Sequence, residues 1–152
     1  MSEDEIERKK KWLNSTKWIR HRIEFLEREE DRLRLAALPG SVNLDSAPRG
    51  SGSSKDLSDY LDMIDKAHSR VLRMKTRHIA RRDEIICAVM ALEDKEADVL
   101  AFRYLEGRQW DECAHMMGYK DPRSIYPIHD RALEHLEMPL YADQVLYENG
   151  SS

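Results

Sequence analysis

Between Lys66 and Arg82 runs the stretch KAHSRVLRMKTRHIARR, with seven basic side chains and no acidic one. Lys66, Arg70, Arg73, Arg77 and Arg81 recur at three- and four-residue steps. At about 100° per residue that spacing sets them along one face of a helix. Like charges repel along a helix, so the chemistry open to such a row is attraction of a polyanion, above all a phosphate backbone. A merely solvated helix face is the plainer alternative.

A second set of polar residues lies in YLEGRQWDECAHMMGYKDPRSIYPIHDRAL, residues 104–133. Two short helical patterns flank a glycine-centred turn here, the layout that holds a helix out to a DNA groove. If that third helix meets DNA, its outward residues are the readers. Lys120 and Arg123 could hold phosphate or a guanine edge, Ser124 and Tyr126 phosphate or base, and Arg131 the backbone. Arg108 and Gln109 open the preceding helix and could meet phosphate at its positive dipole end. Asp130 and Glu134 would sit badly against phosphate.

Other chemistry is missing from the sequence. It has no glycine-rich phosphate loop, nucleophile elbow or paired-histidine metal motif. Cys87 and Cys113 fall inside helical patterns without a CxxC pair, and they read as reduced thiols in helix faces. His115 points away from Cys113, and His68 and His78 lie on the apolar side of their helix. The expectation is no enzyme, no metal and no cofactor.

The elements that must position these residues are helices. From Asp4 to Leu38, Trp12, Ile19, Leu26 and Leu33 recur every seven residues, with Thr16, Ile23 and Ala37 on the other seam position and Glu30 breaking it. From Asp56 to Leu92, Leu57, Ile64, Val71, His78, Ile85 and Leu92 repeat the heptad, widened by Leu61, His68 and Val89. Such seams pack against other helices. Pro39-Gly40 stops the first helix, and residues 39–56 read as a Gly/Ser/Pro-rich connecting loop. Residues 1–92 therefore predict a long antiparallel, coiled-coil-like hairpin. A bare two-helix hairpin buries little, so its seams are expected to recruit another copy as a homodimer or higher oligomer.

Residues 93–137 predict a tri-helical head. Ala97, Leu100, Ala101, Tyr104 and Leu105 share one face of its first helix, Gly107 stops it, and Cys113, Ala114 and Met117 face inward from the second. Ile125, Ile128, Ala132 and Leu136 form the buried stripe of the third. In the tail, 138–152, Leu140, Tyr141, Val145, Leu146 and Tyr147 are expected to pack back. The fold class is all-α.

Pro127 falls inside the third helix. A mid-helix proline costs about 3 kcal/mol, whereas one in the first turn costs little. With Asp121 as cap, Pro127 would kink the helix. With Ser124 as cap it lies in the first turn, leaving Asp121–Ser124 as a separate tight turn, and this start is favoured.

These residues carry a resemblance. LEDKEADVLAFRYLEGRQWDECAHMMGY, followed by the isoleucine and HDRALEHL, resembles region four of bacterial sigma factors. The chain from about 5 to 137 is similar to a phage and prophage family with a helical hairpin, a Ser/Gly-rich loop and a sigma-region-four-like helix-turn-helix, related to ArpU- and RinA-type regulators of late genes. The turn GYKDPRSIY is one residue longer than in that family, and Pro127 and Asp130 replace basic or small residues. The resemblance implies a transcription regulator in the bacterial host cytoplasm, acting on double-stranded promoter DNA, on RNA polymerase or on both. Two alternatives stay open: a DNA-packaging oligomer like a small terminase subunit, and a protein-binding adaptor without DNA.

The charge distribution keeps the adaptor in play. Residues 93–152 hold six basic and thirteen acidic side chains, net −7, while 55–92 hold eight and six, net +2. A DNA binder needs a basic footprint, and the segment most like a reader is the acidic one. No apolar run approaches the roughly 18 residues of a membrane span, and the charged N-terminus does not read as a secretory signal.

Overall fold

A computed structural model of the protein describes residues 1–40 and 56–142. Every regular element among them is helical, so the chain is all-α. The elements are α1 (Glu3–Leu13), α2 (Ser15–Ala36), α3 (Leu57–Met90), α4 (Asp94–Leu100) continued by a π-turn (Ala101–Leu105), α5 (Trp110–Met116), a 3-10 turn (Pro122–Ile125) and α6 (Tyr126–His135). The loop expected at 39–56 falls mostly outside the described residues, as do Val145, Leu146 and Tyr147 of the tail.

The chain separates into two compact units. One, the terminal unit, joins Met1–Trp18 to the chain from Ile79 onward; the other, the middle unit, is Ile19–His78. A boundary at residue 92, expected from the change of periodicity there, does not coincide with this division.

In the terminal unit the first expected helix is interrupted. Asn14 takes φ −84° and ψ −3°, and Lys17 N–H bonds back to the Asn14 carbonyl at 3.0 Å. The Ser15 hydroxyl donates to the Trp12 carbonyl at 2.6 Å. That carbonyl is the acceptor Thr16 would need in an unbroken helix, and a serine competing for backbone partners loosens helical bonding. Heptad periodicity runs through the break unaltered, so it could not reveal it.

The core of this unit gathers Trp12 and Leu13, Ile85 and Val89, Val99 and Leu100, Cys113, Ile125 and Leu133, all at or near zero exposure. α4 packs on α6, α5 on the 3-10 turn, and α1 touches α6. The expected stripe Ile125, Ile128, Ala132 and Leu136 is buried, with His129 and Leu133 beside it. Met138 packs on this core and Ala142 is buried, whereas Leu140 is fully exposed, so the described part of the tail returns only in part.

Lys9 is buried at 6% exposure. Its Nζ donates to the carbonyls of Leu133 at 2.6 Å and Glu134 at 3.3 Å. A cation on the last carbonyls of α6 satisfies acceptors that the helix leaves open and complements its dipole.

In the middle unit, Leu33 of α2 packs with Ile64 and Ala67 of α3, flanked by Ala37 and Met63. Glu27 pairs with Lys75 at 3.3 Å and Glu30 with His68 at 2.7 Å. Residue numbers fall on α3 as they rise on α2, so these segments run antiparallel. Leu57 and Leu61, expected on the seam, are 60% and 52% exposed.

Candidate nucleic-acid interface

The basic row on α3 is real for four of its five members. Lys66, Arg70, Arg73 and Arg77 are exposed and fall within about 60° of each other at 100° per residue. Over eleven residues they extend about 16 Å along the helix. Lys66 reaches Asp62 at 3.2 Å, an exposed i,i+4 pair, and exposed pairs of this kind hold a cation only weakly. Asp65, Lys66, Ser69, Arg70 and Arg73 line an open groove. Lys75 turns away from this face to Glu27.

Arg81 corrects the expectation. It is 7% exposed and belongs to the interior of the terminal unit. Its Nη1 donates to Ser15 Oγ at 3.1 Å, and its Nε lies 3.3 Å from Glu84 Oε2. The Tyr141 hydroxyl bonds the same Glu84, which raises the phenol's pKa. Helical spacing set Arg81 on the basic face, but beside Glu84 on its own helix its partner is Ser15 at the α1–α2 break, which spacing does not encode.

The second set surrounds the start of α6. Asp121 caps the 3-10 turn by accepting from Arg123 N–H at 2.9 Å, and Ser124 N–H bonds the Asp121 carbonyl at 3.0 Å. α6 then begins at Tyr126, with Pro127 among its first two residues. The turn is not separate from the helix: the 3-10 turn runs straight into α6, whose cap position is Ile125 rather than Ser124, and Pro127 falls in the first turn of α6, where a proline is tolerated.

This arrangement leaves Lys120, Arg123, Ser124, Tyr126 and Arg131 exposed, with Asp130 and Glu134 exposed on the same helix. Arg123 forks onto Asp121, with Nε at 3.2 Å and Nη2 at 2.9 Å. The guanidinium holds the Asp121 carboxyl below its usual range. Arg108 is held similarly, its Nε 2.9 Å from Glu106 and its Nη1 3.7 Å from Glu112. Gln109 is exposed and makes no side-chain cap bond to α5. Two of the three arginines that the sequence nominates, Arg108 and Arg123, therefore each have an acidic neighbour in attendance. Lys120 and Arg131 form no ion pair among the described residues.

Behind these residues lies a cluster that residue spacing alone does not disclose. The Arg103 guanidinium sits 4.5 Å over the Trp110 ring. Trp110 stands edge-on to Tyr126 at 5.3 Å and to His129 at 4.9 Å. His129 Nε2 meets the Tyr104 hydroxyl at 2.8 Å. Burial lowers the His129 pKa and pushes Tyr104 up to about 12, so both are neutral near pH 7. The pair therefore joins a donor to an acceptor without a charge. Aromatics at 104, 110 and 126, with Arg103 one residue from the first, were the available signal. Their meeting depends on the π-turn, in which Glu106 N–H reaches back to the Ala101 carbonyl at 3.0 Å.

Burial also raises the Cys113 thiol pKa, as befits a packed thiol. No group of three or more His, Cys, Asp or Glu side chains among the described residues could hold a metal ion. No described helix is long and apolar enough to cross a membrane. No family model matches the chain, and no curated protein or solved structure matches it.

Proposed function

We propose that this chain binds double-stranded DNA as a transcription regulator of the kind its resemblance to sigma region four implies. The observation that carries the reading is the exposed face of α3. Lys66, Arg70, Arg73 and Arg77 form a continuous cationic row, and no acidic residue interrupts the sequence between them. A row of this kind supplies the sequence-independent phosphate attraction that a chain with an acidic C-terminal half otherwise lacks. The exposed start of α6 supplies the second contact, in which Lys120, Arg123, Ser124, Tyr126 and Arg131 meet bases and phosphates, flanked by Arg108 and Gln109. RNA polymerase is the proposed protein partner, and a homodimer or higher oligomer the proposed assembly.

One observation favours a second reading. Asp121 and Glu106 occupy Arg123 and Arg108, which suits an acidic surface that receives a protein rather than DNA.

Salt-dependent retention of duplex DNA distinguishes the two. Arg73→Glu with Arg77→Glu should weaken binding to any duplex and flatten the slope of log K against log salt by about two units, since each phosphate contact contributes roughly 0.9. Arg123→Ala should leave that slope nearly unchanged and lose about 1–3 kcal/mol of discrimination at a true site. An intact protein without salt-sensitive retention of duplex, with or without RNA polymerase, would leave the adaptor reading in place.

A further inference from the structure

Phe25, on α2, is 56% exposed, and the contacts of the middle unit fix the face on which it stands. The buried line of α2 runs through Ile23, Glu30 and Leu33, and that of α3 through Ile64, Ala67 and Val71. At about 100° per residue, Glu27 lies about 70° to one side of the α2 line and Phe25 about 120° to the other. On α3, Lys75 lies about 50° to one side of its line, and Lys66, Arg70, Arg73 and Arg77 centre about 120° to the other. Glu27 pairs with Lys75 at 3.3 Å, so those two sides adjoin. Phe25 and the basic row therefore share the opposite face of the pair. Facing partners, Glu27 with Lys75, Glu30 with His68 and Leu33 with Ile64, set Phe25 level with Arg73 and Arg77. Two acidic groups on or beside this face are already engaged, Glu29 by Arg32 at 3.0 Å and Asp62 by Lys66 at 3.2 Å.

The combination of ring and cations narrows the partner. An apolar protein surface seated on Phe25 would strip water from the guanidinium groups beside it without pairing them, which is strongly unfavourable. A duplex would satisfy the cations, but its base faces are stacked on one another and the ring would meet none of them. An unpaired strand offers phosphates and open base faces together, and a cationic track with an aromatic platform is the arrangement that binds such strands. We propose that this face of the middle unit binds single-stranded DNA, with Lys66, Arg70, Arg73 and Arg77 along the phosphates and Phe25 stacked against a base. The inference rests on the reading of the row as a DNA phosphate surface, and it adds the unpaired form of the strand to what that surface takes. Every base has a π-face, so the binding is tolerant of sequence.

The test measures binding of the full-length chain to short oligo(dT), to oligo(U) and to a mixed-sequence duplex at matched salt. The parent should bind oligo(dT) and duplex. Phe25→Ala should lose about 5- to 100-fold in affinity for oligo(dT), the range for one stacked base, and keep its affinity for duplex and its melting temperature. Phe25→Trp should keep the parent's affinity for oligo(dT), and its added fluorescence should be quenched by oligo(dT) and not by duplex. Duplex binding without oligo(dT) binding, an unchanged oligo(dT) affinity in Phe25→Ala, or an equal loss on both probes overturns the proposal and leaves the duplex reading standing. A Phe25→Ala chain that melts well below the parent overturns it too, since the ring would then be packed rather than presented. Tighter binding of oligo(U) than of oligo(dT) would give the face to RNA instead. Loss of every probe from the parent would take the duplex reading down with it.

Discussion

The terminal and middle units are built from the same kind of helix but held together differently. The terminal unit buries fifteen residues in one apolar cluster, whereas the middle unit's cluster holds three, with Ile19, Ile23 and Val71 buried outside it. In the first, polar side chains finish what packing begins: Lys9 closes α6, Arg81 ties Ser15 to Glu84, and Tyr104 meets His129. In the second, a single buried carboxylate and a thin aliphatic seam carry the pairing. The difference teaches where rigidity and exposure are placed. The exposed cations of α3 between 66 and 77 belong to the lightly packed unit, and the aromatic cluster behind the start of α6 belongs to the dense one.

The sharpest way to break this comparison is to hollow out each core. Leu100→Ala should cost about 3–5 kcal/mol, because its site is fully enclosed, while Leu33→Ala in the thinner cluster should cost about 2 kcal/mol. Chemical denaturation followed by far-ultraviolet circular dichroism, since the three tryptophans all lie in the terminal unit, would give both values, and equal losses would erase the distinction. Native-state hydrogen exchange should show amides of the middle unit opening first.

A smaller effect is expected at Lys9. Lys9→Met preserves the stem and removes the ammonium that two α6 carbonyls accept from. The loss should be about 1.5–3 kcal/mol, the range for hydrogen bonds to a charged group. Thermal melts of the variant that matched the parent would show that those carbonyls find another donor.

The smallest effect separates the units by pH. Burial holds the His129 pKa below its usual 6.5. The unfolded chain takes up that proton first, so the associated stability is complete above pH 6.5 and declines as pH falls below it. Glu30 is the opposite case. Chiefly its bond to Arg34, with His68 adding to it, holds its pKa below the usual 4.5. Its stability is complete above pH 4.5 and disappears as pH falls through the lowered value. Acid should therefore loosen the terminal unit before the middle one, by at most about 1.4 kcal/mol per pH unit for each group. Near-ultraviolet circular dichroism, to which the aromatic cluster contributes, should change as pH falls below 6.5 while helicity persists. His129→Phe should abolish that first step, and a variant that kept it would assign the step to another group.

Much of this architecture could be read from the chain. The all-α class and the α6 stripe at Ile125, Ile128, Ala132 and Leu136 follow from periodicity. The stops at Gly107 and Gly118, both at positive φ (69° and 86°), follow from glycine's freedom there. The site was legible to the extent that charge follows spacing, as at Lys66, Arg70, Arg73 and Arg77. It was not legible where a charge is satisfied by something distant in sequence. Lys9 and Arg81 look like surface residues until α6 supplies carbonyls to one and the α1–α2 break supplies a hydroxyl to the other. The acidic partners of Arg108 and Arg123 stand two residues away and were visible, but only geometry turns nearness into a fork.

The π-turn at Ala101–Leu105 has a consequence best expressed as phase. A wide turn carries one residue more than the regular helix would over the same rise. Removing a single residue from this stretch would let it close into ordinary α-helix with α4 kept in phase with the chain that follows, because the extra residue is absorbed within the turn. The change would fall on the turn itself: Arg103 and Tyr104 would alter their bearing on Trp110 and His129, with composition and helix content almost untouched. The wide turn thus sets the aim of these two side chains rather than the alignment of the helices beside it.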